Sequence, residues 1–301
     1  MKCLVTGGAG FIGSNLVNKL IKDGHDVVIV DDLSTGKKDN IHPKAEAWIV
    51  DISDVNEYWD EIFDNIDVVF HTAAKARVQP SIKNPMEFNN VNVSGTLNML
   101  KCCVDYGVSR FIYSSSSSVY GNVEQLPTPE EHKLNPMSPY ALQKLIGEQY
   151  CKLYSELHGL ETVCLRYFNV YGDGMSLEGA YKLVIPIFTD QMLRGAPMTI
   201  RGDGNQRRDF TYVGDVVDAN IKCATNLGVE FNGEVFNIGN GDNRSVNQIA
   251  TMMGGSRMHV EPVIEPKETL ADNSKAKKVL GWKTTMKIED WIKIYKEKMG
   301  I

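Results

Sequence analysis

Tyr140 and Lys144 stand four residues apart behind Ser138-Pro139, and a run of five serines, Ser114 to Ser118, lies upstream. Ser138 suits a helix N-cap and Pro139 the first helical position, so a helix starting there sets Tyr140 and Lys144 one turn apart on one face. An ammonium beside a phenol favours the phenolate, and a phenolate near working pH is a general base. A tyrosine and a lysine at this spacing also occur on ordinary surface helices, so the pair means chemistry only if the rest of a site accompanies it.

The serine run follows Arg110-Phe111-Ile112-Tyr113, a strand pattern, and gives way to Val119-Tyr120-Gly121, apolar and then a turn. A flexible linker would carry Gly, Pro or charge around it. The carboxyl ends of strands in a doubly wound sheet open onto the ligand crevice, which puts these hydroxyls where a substrate lies. A hydroxyl at a strand end is therefore the better reading.

A cofactor site is written near the start. The apolar run Cys3-Leu4-Val5 leads into Thr6-Gly7-Gly8-Ala9-Gly10-Phe11-Ile12-Gly13, and helical spacing follows. Gly7, Gly10 and Gly13 let the backbone turn tightly, approach a pyrophosphate and pack the helix on its strand, while the helix N-terminus faces the anion. Asp31 ends the second strand about twenty residues on, where a carboxylate accepts from a ribose 2′-hydroxyl and repels a 2′-phosphate, so NAD is expected rather than NADP. Lys37 and Lys38 read as solvated charge on a loop.

The elements that must position these groups alternate in type. Short apolar runs (Cys3-Leu4-Val5, Val27 to Val30, Trp48-Ile49-Val50, Val68-Val69-Phe70, Arg110 to Tyr113, Thr162 to Leu165) are separated by helical patterns such as Ile12 to Ile21 and Val91 to Val104. Continuous apolar strands between helices indicate an α/β fold, a doubly wound parallel sheet. Past about Asn169 the pattern turns irregular until Glu234 to Ile238. The expectation is a dinucleotide-binding domain of residues 1–168 and 209–240, with a smaller interleaved lobe of residues 169–208 and 241–301 for the substrate.

Composition sets limits on partners. The chain has 301 residues, 43% of them hydrophobic, enough for one large core or a domain and a smaller lobe. A formal charge of −6 with mixed signs argues against nucleic-acid binding. The six cysteines lie in apolar runs without zinc or disulfide spacing, and no stretch reaches the roughly eighteen apolar residues of a membrane span, so a cytoplasmic protein with reduced thiols and no metal is expected.

With these residues in place, the chain resembles the extended short-chain dehydrogenase/reductases of the NAD-dependent epimerase/dehydratase family, and most closely the nucleotide-sugar 4-epimerases. The resemblance runs through Gly7, Gly10 and Gly13, Asp31-Asp32-Leu33-Ser34-Thr35-Gly36, Asp51-Ile52, His71-Thr72-Ala73-Ala74, Asn92 in Asn-Val-Ser-Gly-Thr, and the Ser/Tyr/Lys set. It continues through Arg166 to Gly172, Arg208 to Val213 and Ala271 to Ala276. It implies that Ser116, counted back from Val119-Tyr120-Gly121, acts with Tyr140 and Lys144. It implies further that Phe11, Ile12, Asp32, Ser34, Thr35, Gly36, Asp51, Ile52, Ala73, Ala74, Asn92, Ser114 and Tyr167 join the glycines and Asp31 around NAD. A UDP-sugar is the implied substrate, of the glucose/galactose or N-acetylhexosamine series, with Asn169 and Arg208 at its diphosphate, Val184, Thr199 and Arg201 near its base, and Lys75, Ser117 and Thr269 toward the sugar.

The same register separates relatives. Dehydratases and decarboxylases place a carboxylate after the catalytic hydroxyl, whereas Ser117 and Ser118 stand here. Epimerisation at C4, by oxidation to a 4-keto sugar and return of the hydride to its other face, needs only what is present. A dehydratase, decarboxylase or 4-reductase on the same scaffold is the rival within enzymes, and a non-catalytic dinucleotide sensor or scaffold the rival from another class. Two departures stand out: the diphosphate arginine common in relatives falls near Pro262, with Lys267 as its nearest substitute, and Asp173-Gly174-Met175 replaces a common Pro-Arg at the sugar pocket's edge. Relatives commonly dimerise through helices matching Asn90 to Asp105 and Pro139 to Glu156, although Val91, Leu97, Leu100 and Val104 equally suit a face turned to the sheet.

Overall fold

In the computed structural model, which describes residues 1–54, 57–176, 183–226, 228–262 and 266–301, the apolar runs become one parallel sheet. Strand β1 (Lys2–Thr6) lies between β2 (Asp26–Asp31) and β4 (Val68–His71); β3 (Glu46–Ile49) pairs with β2, β5 (Arg110–Ser116) with β4, and β6 (Glu161–Tyr167) with β5. A seventh strand, Asn232–Ile238, closes the far edge against β6, and every neighbouring pair is parallel. Strand order therefore reverses between β1 and β4, and the crevice beyond their carboxyl ends is where a doubly wound sheet takes its ligand.

Helices cover both faces because the strands are apolar on both. On one side Leu16, Val17 and Leu20 of α1 (Phe11–Lys22) and Val216 and Val217 of the Val213–Thr225 helix pack on Val5, Ile29, Phe70 and Leu165. On the other, Met99 and Leu100 of the Thr96–Asp105 helix and Cys151 of the Pro139–His158 helix pack on Leu4, Val28, Val69 and Phe111. Each of these large side chains contributes roughly 1.5–3 kcal/mol by leaving water. Leu100 and Val91 thus turn to the sheet, while Leu142, Leu153 and Leu157 of the Pro139–His158 helix are exposed. All six cysteines are free and buried. Among the described residues no helix is long and apolar enough to cross a membrane.

A second core gathers Phe188, Met198, Ile200, Ile249, Met253 and Trp291, from the Val184–Leu193, Val246–Met253 and Ile288–Met299 helices and the Met198–Arg201 strand. The chain returns once more to the first core: Ala276, Leu280 and Trp282 belong to it, and Trp282 Nε1 donates to the Asp215 carbonyl at 2.8 Å. The spacing from Val91 to Val104 predicts one regular helix, but Asn90–Gly95 is a π-helical turn feeding the Thr96–Asp105 α-helix. Gly95 lies so close to Ile52 that a Cβ would come within 2.8 Å of it. The Asn92 side chain is drawn to the Lys75 backbone and Gln143, contacts that no local spacing encodes.

Candidate active site at the carboxyl edge of the sheet

The glycine turn is built for close approach. Gly7 has φ +70°, and a Cβ there would stand 2.7 Å from the Ala73 nitrogen, on the loop after β4. Gly13, in the first turn of α1, leaves no room either, since a Cβ would fall 2.1 Å from the Gly7 oxygen. Gly10 precedes α1 in extended conformation and donates its N–H to the Gly7 carbonyl at 3.0 Å, so the helix N-terminus, with Phe11 and Ile12, is presented at the crevice. Gly13→Ala is expected to push the turn open and weaken NAD binding at least roughly tenfold, about 1.4 kcal/mol, with a smaller loss of stability. Fluorescence titration with NAD checks it, and unchanged affinity would count against the cradle.

Asp31 ends β2 buried beside this turn. Its Oδ2 accepts from Ala9 N at 2.9 Å and its Oδ1 from Leu33 N at 2.8 Å. Burial pushes its pKa above the ordinary value, and those two N–H groups pull it back. Gly36 approaches so closely that a Cβ would sit 2.6 Å from Asp31 Oδ1, which orders the Asp32-to-Gly36 loop, with Thr35 in it, around the carboxylate. Asp32 accepts from both Ser34 N (2.9 Å) and Ser34 Oγ (2.7 Å). Asp51 caps Ser53 in the same way beside buried Ile52. Ala73 N donates to Thr6 Oγ1 at 3.2 Å, and Ala74 follows on the same loop.

Behind the cradle His71, fully buried, bridges Thr6 Oγ1 (2.8 Å) and Thr96 Oγ1 (3.0 Å). Burial, and after it the charge of Lys144, holds His71 down at about 3. Its folded pKa lies below the unfolded value near 6.5, so its contribution is complete above that pH and is lost as pH falls through it. The loss runs at about 1.4 kcal/mol per pH unit, or roughly 2 kcal/mol by pH 5. Asp209, raised by burial to about 6, works in the opposite sense below that pH. Its effect is common to parent and variant, so His71→Gln is expected to flatten the fall in denaturant-measured stability between pH 7 and 5 by that amount. An unchanged slope would count against the buried neutral imidazole.

The candidate reacting groups meet at the end of β5. Three of the five serines are strand: β5 ends at Ser116, whose Oγ accepts from Ser118 N at 3.2 Å to cap a 3-10 turn of Ser117–Tyr120. Ser138 Oγ accepts from Ala141 N at 3.2 Å with Pro139 at the helix start, as the sequence leads one to expect. Tyr140 is thereby set in the first turn of a helix that packs against β5 and the turn after Ser116. It remains partly open to the cleft, yet the surrounding protein raises its pKa, against which Ser116 and then the charge of Arg77 act.

Lys144 behaves differently from the expectation of an ammonium at the phenol. Its Nζ donates to the Ser114 carbonyl at 2.7 Å and lies 4.8 Å from the centroid of the Tyr113 ring, and burial lowers its pKa to about 8. Gly147, one turn further on, is tight against Tyr113, where a Cβ would meet the phenol oxygen at 2.2 Å. Ser114 Oγ bonds the Tyr167 hydroxyl (3.1 Å), which also accepts from Asn220 (2.8 Å), so the floor beneath the reacting groups is a polar chain.

A second network escaped the reading of the sequence. Ser115 Oγ donates to Glu148 (2.5 Å), Glu148 takes a two-pronged ion pair from Arg166 (2.9 and 2.7 Å), and Arg166 donates to Tyr120 (2.8 Å), which donates to Asn237 (2.7 Å). It ties the Pro139–His158 helix to three strands and to the turn after Ser116. Tyr140, Lys144 and Glu148 recur every four residues along one helix, and that stripe is the signal that would have found it.

The substrate-side residues divide by place. Asn169 follows β6, whose Tyr167 stands opposite Ser116, and its carbonyl accepts from Thr211 N at 3.1 Å, joining it to the segment that carries Arg208. Arg208 donates to the carbonyls of Arg207 (2.8 Å) and Lys267 (3.4 Å), so Lys267 runs beside it, whereas Pro262 lies against Gly202. Thr269 accepts from Asp209 N at 3.2 Å. Val184 opens the Val184–Leu193 helix, Thr199 is paired with Gln191 at 2.8 Å, and Arg201 is exposed at its strand end. Lys75 forms an ion pair with Glu87 at 2.9 Å, while Asn92 clamps its backbone. A cavity of about 300 Å³ lined by Phe210, Arg244, Thr285 and Glu289 lies beside the second core and contains none of these groups.

A seven-stranded, doubly wound parallel sheet with a glycine cradle at its switch point, and a serine-tyrosine-lysine set on the same edge, defines a Rossmann-type enzyme that uses a dinucleotide on a hydroxyl-bearing substrate. The family model of the NAD dependent epimerase/dehydratase family matches residues 3–239, and the chain belongs to that family. It is 41% identical over 297 residues to a protein of Methanocaldococcus jannaschii named putative UDP-glucose 4-epimerase, covering 96% of this chain and 95% of that one. Among solved structures, UDP-glucose 4-epimerase of Thermotoga maritima with UDP-glucose matches at TM-score 0.93 and 38% identity over all of both chains. UDP-glucuronic acid 4-epimerase of Bacillus cereus in complex with UDP-glucuronic acid and NAD matches at 0.91 and 32%, over 100% of this chain and 99% of that one.

Proposed function

We propose that this chain is an NAD-dependent UDP-sugar 4-epimerase acting on UDP-glucose/UDP-galactose or their N-acetylhexosamine analogues. The observation that carries the reading is the placing of Ser116 at the carboxyl end of β5, against the helix that bears Tyr140 and Lys144, with serines and no carboxylate at positions 117 and 118. Tyr140 as phenolate takes the proton of the sugar 4-hydroxyl and returns it after the sugar has turned, while Ser116 holds the same oxygen. The NAD that the cradle fits supplies a hydride acceptor and donor at C4, with no net redox change. Asp31 fits the adenosine ribose hydroxyls, and Lys144, with its Ser114 anchor, the nicotinamide ribose. Asn169, Arg208 and neighbouring Lys267 would hold the diphosphate, Val184, Thr199 and Arg201 the base, and Lys75, Ser117 and Thr269 the sugar.

Homodimer formation through the two helices of residues 90–105 and 139–156 is part of the reading, supported by exposed Leu142 and Leu153. So is residence in the cytoplasm, supported by six buried free thiols. The test is incubation with UDP-glucose, UDP-N-acetylglucosamine and UDP-glucuronate separately, without reductant, with products identified by proton NMR. Inversion at C4 in one of the first two supports the proposal. Loss of water or carbon dioxide, or turnover only with added NAD(P)H, points to the dehydratase, decarboxylase or reductase chemistries of the same scaffold. Inversion of the glucuronate alone would keep the reaction and change the sugar.

A further inference from the structure

Among the described residues three non-glycines have positive φ: Leu33 (57°), Asn65 (55°) and Arg77 (99°). The first two lie in the left-handed helical well, but Arg77 lies well beyond it, where a Cβ is poorly tolerated. Backbone held in such a region persists only when its surroundings over-determine it, and such residues gather at functional sites.

The surroundings here all lead to the first turn of the catalytic helix. Two residues before Arg77, Asn92 grips both the N–H (2.8 Å) and the carbonyl (2.9 Å) of Lys75, and it donates also to Gln143 at 2.9 Å. Just after Arg77, the Val78–Lys83 helix brings Ser81, whose Oγ accepts the Tyr140 N–H at 3.2 Å. The strained residue is therefore latched from both sides to the Tyr140–Gln143 turn. Its guanidinium is partly buried, and its charge attracts the Tyr140 phenolate, while Lys144 is engaged with the Ser114 carbonyl.

We propose that Arg77 is a positioning residue for proton transfer: the strained loop aims its guanidinium at Tyr140 and stabilises the phenolate, a role separate from that of Lys144. This rests on the reading of Tyr140 as the base. The groups that act on that phenol are the Ser116 hydroxyl from β5 and Arg77 from its loop; Lys144, one turn along the helix, is turned to the Ser114 carbonyl and the Tyr113 ring, and Glu148 beyond it is neutralised by Arg166.

The phenolate is the active form, so activity falls as pH drops through the Tyr140 pKa, and removing a cation moves that fall to higher pH. In Arg77→Gly, which removes the charge and suits the backbone, the acid limb of kcat/KM for the UDP-sugar turned over fastest is expected about one pH unit higher, with kcat roughly tenfold lower below the limb and recovering above it. Arg77→Lys is expected to restore most of the shift, and the melting temperature of Arg77→Gly to equal or exceed the parent's. Coincident limbs in parent and Arg77→Gly, or a pH-independent loss expressed in KM and not rescued by lysine, would overturn the proposal, the second by assigning Arg77 to substrate binding. Tyr140→Phe separates the two readings. If it turns over normally, the assignment of the base fails and Arg77 with it; if it is inactive while the Arg77→Gly limb stays put, only Arg77 is wrong.

Discussion

Tyr140→Phe is expected to retain NAD and to lose turnover by a factor on the order of 10²–10⁴, the range that a positioned acid or base supplies. The substitution removes one hydroxyl, and Ser116 still accepts from Ser118 N at 3.2 Å, so the cleft keeps its shape. The cradle is formed by other elements, chiefly the turn after β1 and the loop after β4, and NAD content after purification, read by absorbance, should match the parent. Turnover is read by NMR on the same preparations. Near-normal rates would remove Tyr140 from the mechanism. Loss of NAD together with a fall in melting temperature would instead make the residue structural.

The second large effect concerns stability. Arg166 and Glu148 are 3% and 5% exposed and bonded at both prongs. Replacing Glu148 by glutamine leaves a guanidinium among Tyr120, the Glu130 carbonyl and the sheet with its charge uncompensated, which costs about 3–5 kcal/mol for a buried pair broken on one side. Urea unfolding is the measurement. A joint Glu148→Met, Arg166→Leu replacement is expected to recover much of the loss, because two ions no longer have to leave water. Should the single variant lose less than about 1 kcal/mol, the pair is hydrated in solution and does not hold the catalytic helix. Turnover should fall in the single variant as well, since Ser115 and Tyr120, on either side of the Ser116–Val119 segment, are both anchored by this network.

Much of this was legible beforehand because it is local. The glycine turn, the Asp31 strand end, the Ser138-Pro139 helix start and the apolar strands depend on residues a few positions apart, and the structure has them all. Features set by distant partners were not legible. The π turn at Asn90–Gly95 exists for contacts of Asn92 with Lys75 and Gln143, and the direction of Lys144 is chosen by the Ser114 carbonyl. Arg77 carries no local mark of its role, since nothing in Lys75-Ala76-Arg77-Val78 announces a positive φ at a residue with a Cβ. Trp282 packs into the first core although the sequence pattern groups it with the second lobe, because its partner Asp215 is 67 residues earlier.

The seventh strand has a consequence for how the chain is made. It is Asn232–Ile238, and it can join β6 only after the segments between them, the Val184–Leu193 helix and the Met198–Arg201 strand of the second core among them, have been synthesised. On the ribosome β6 therefore waits with an open edge, and such an edge is a template for wrong pairing until its neighbour emerges. The cradle is laid down with the first strands, whereas the far edge of the same sheet is among the last things translation can finish, and a nascent chain stalled before Asn232 should be more dependent on chaperones than one stalled after Trp282.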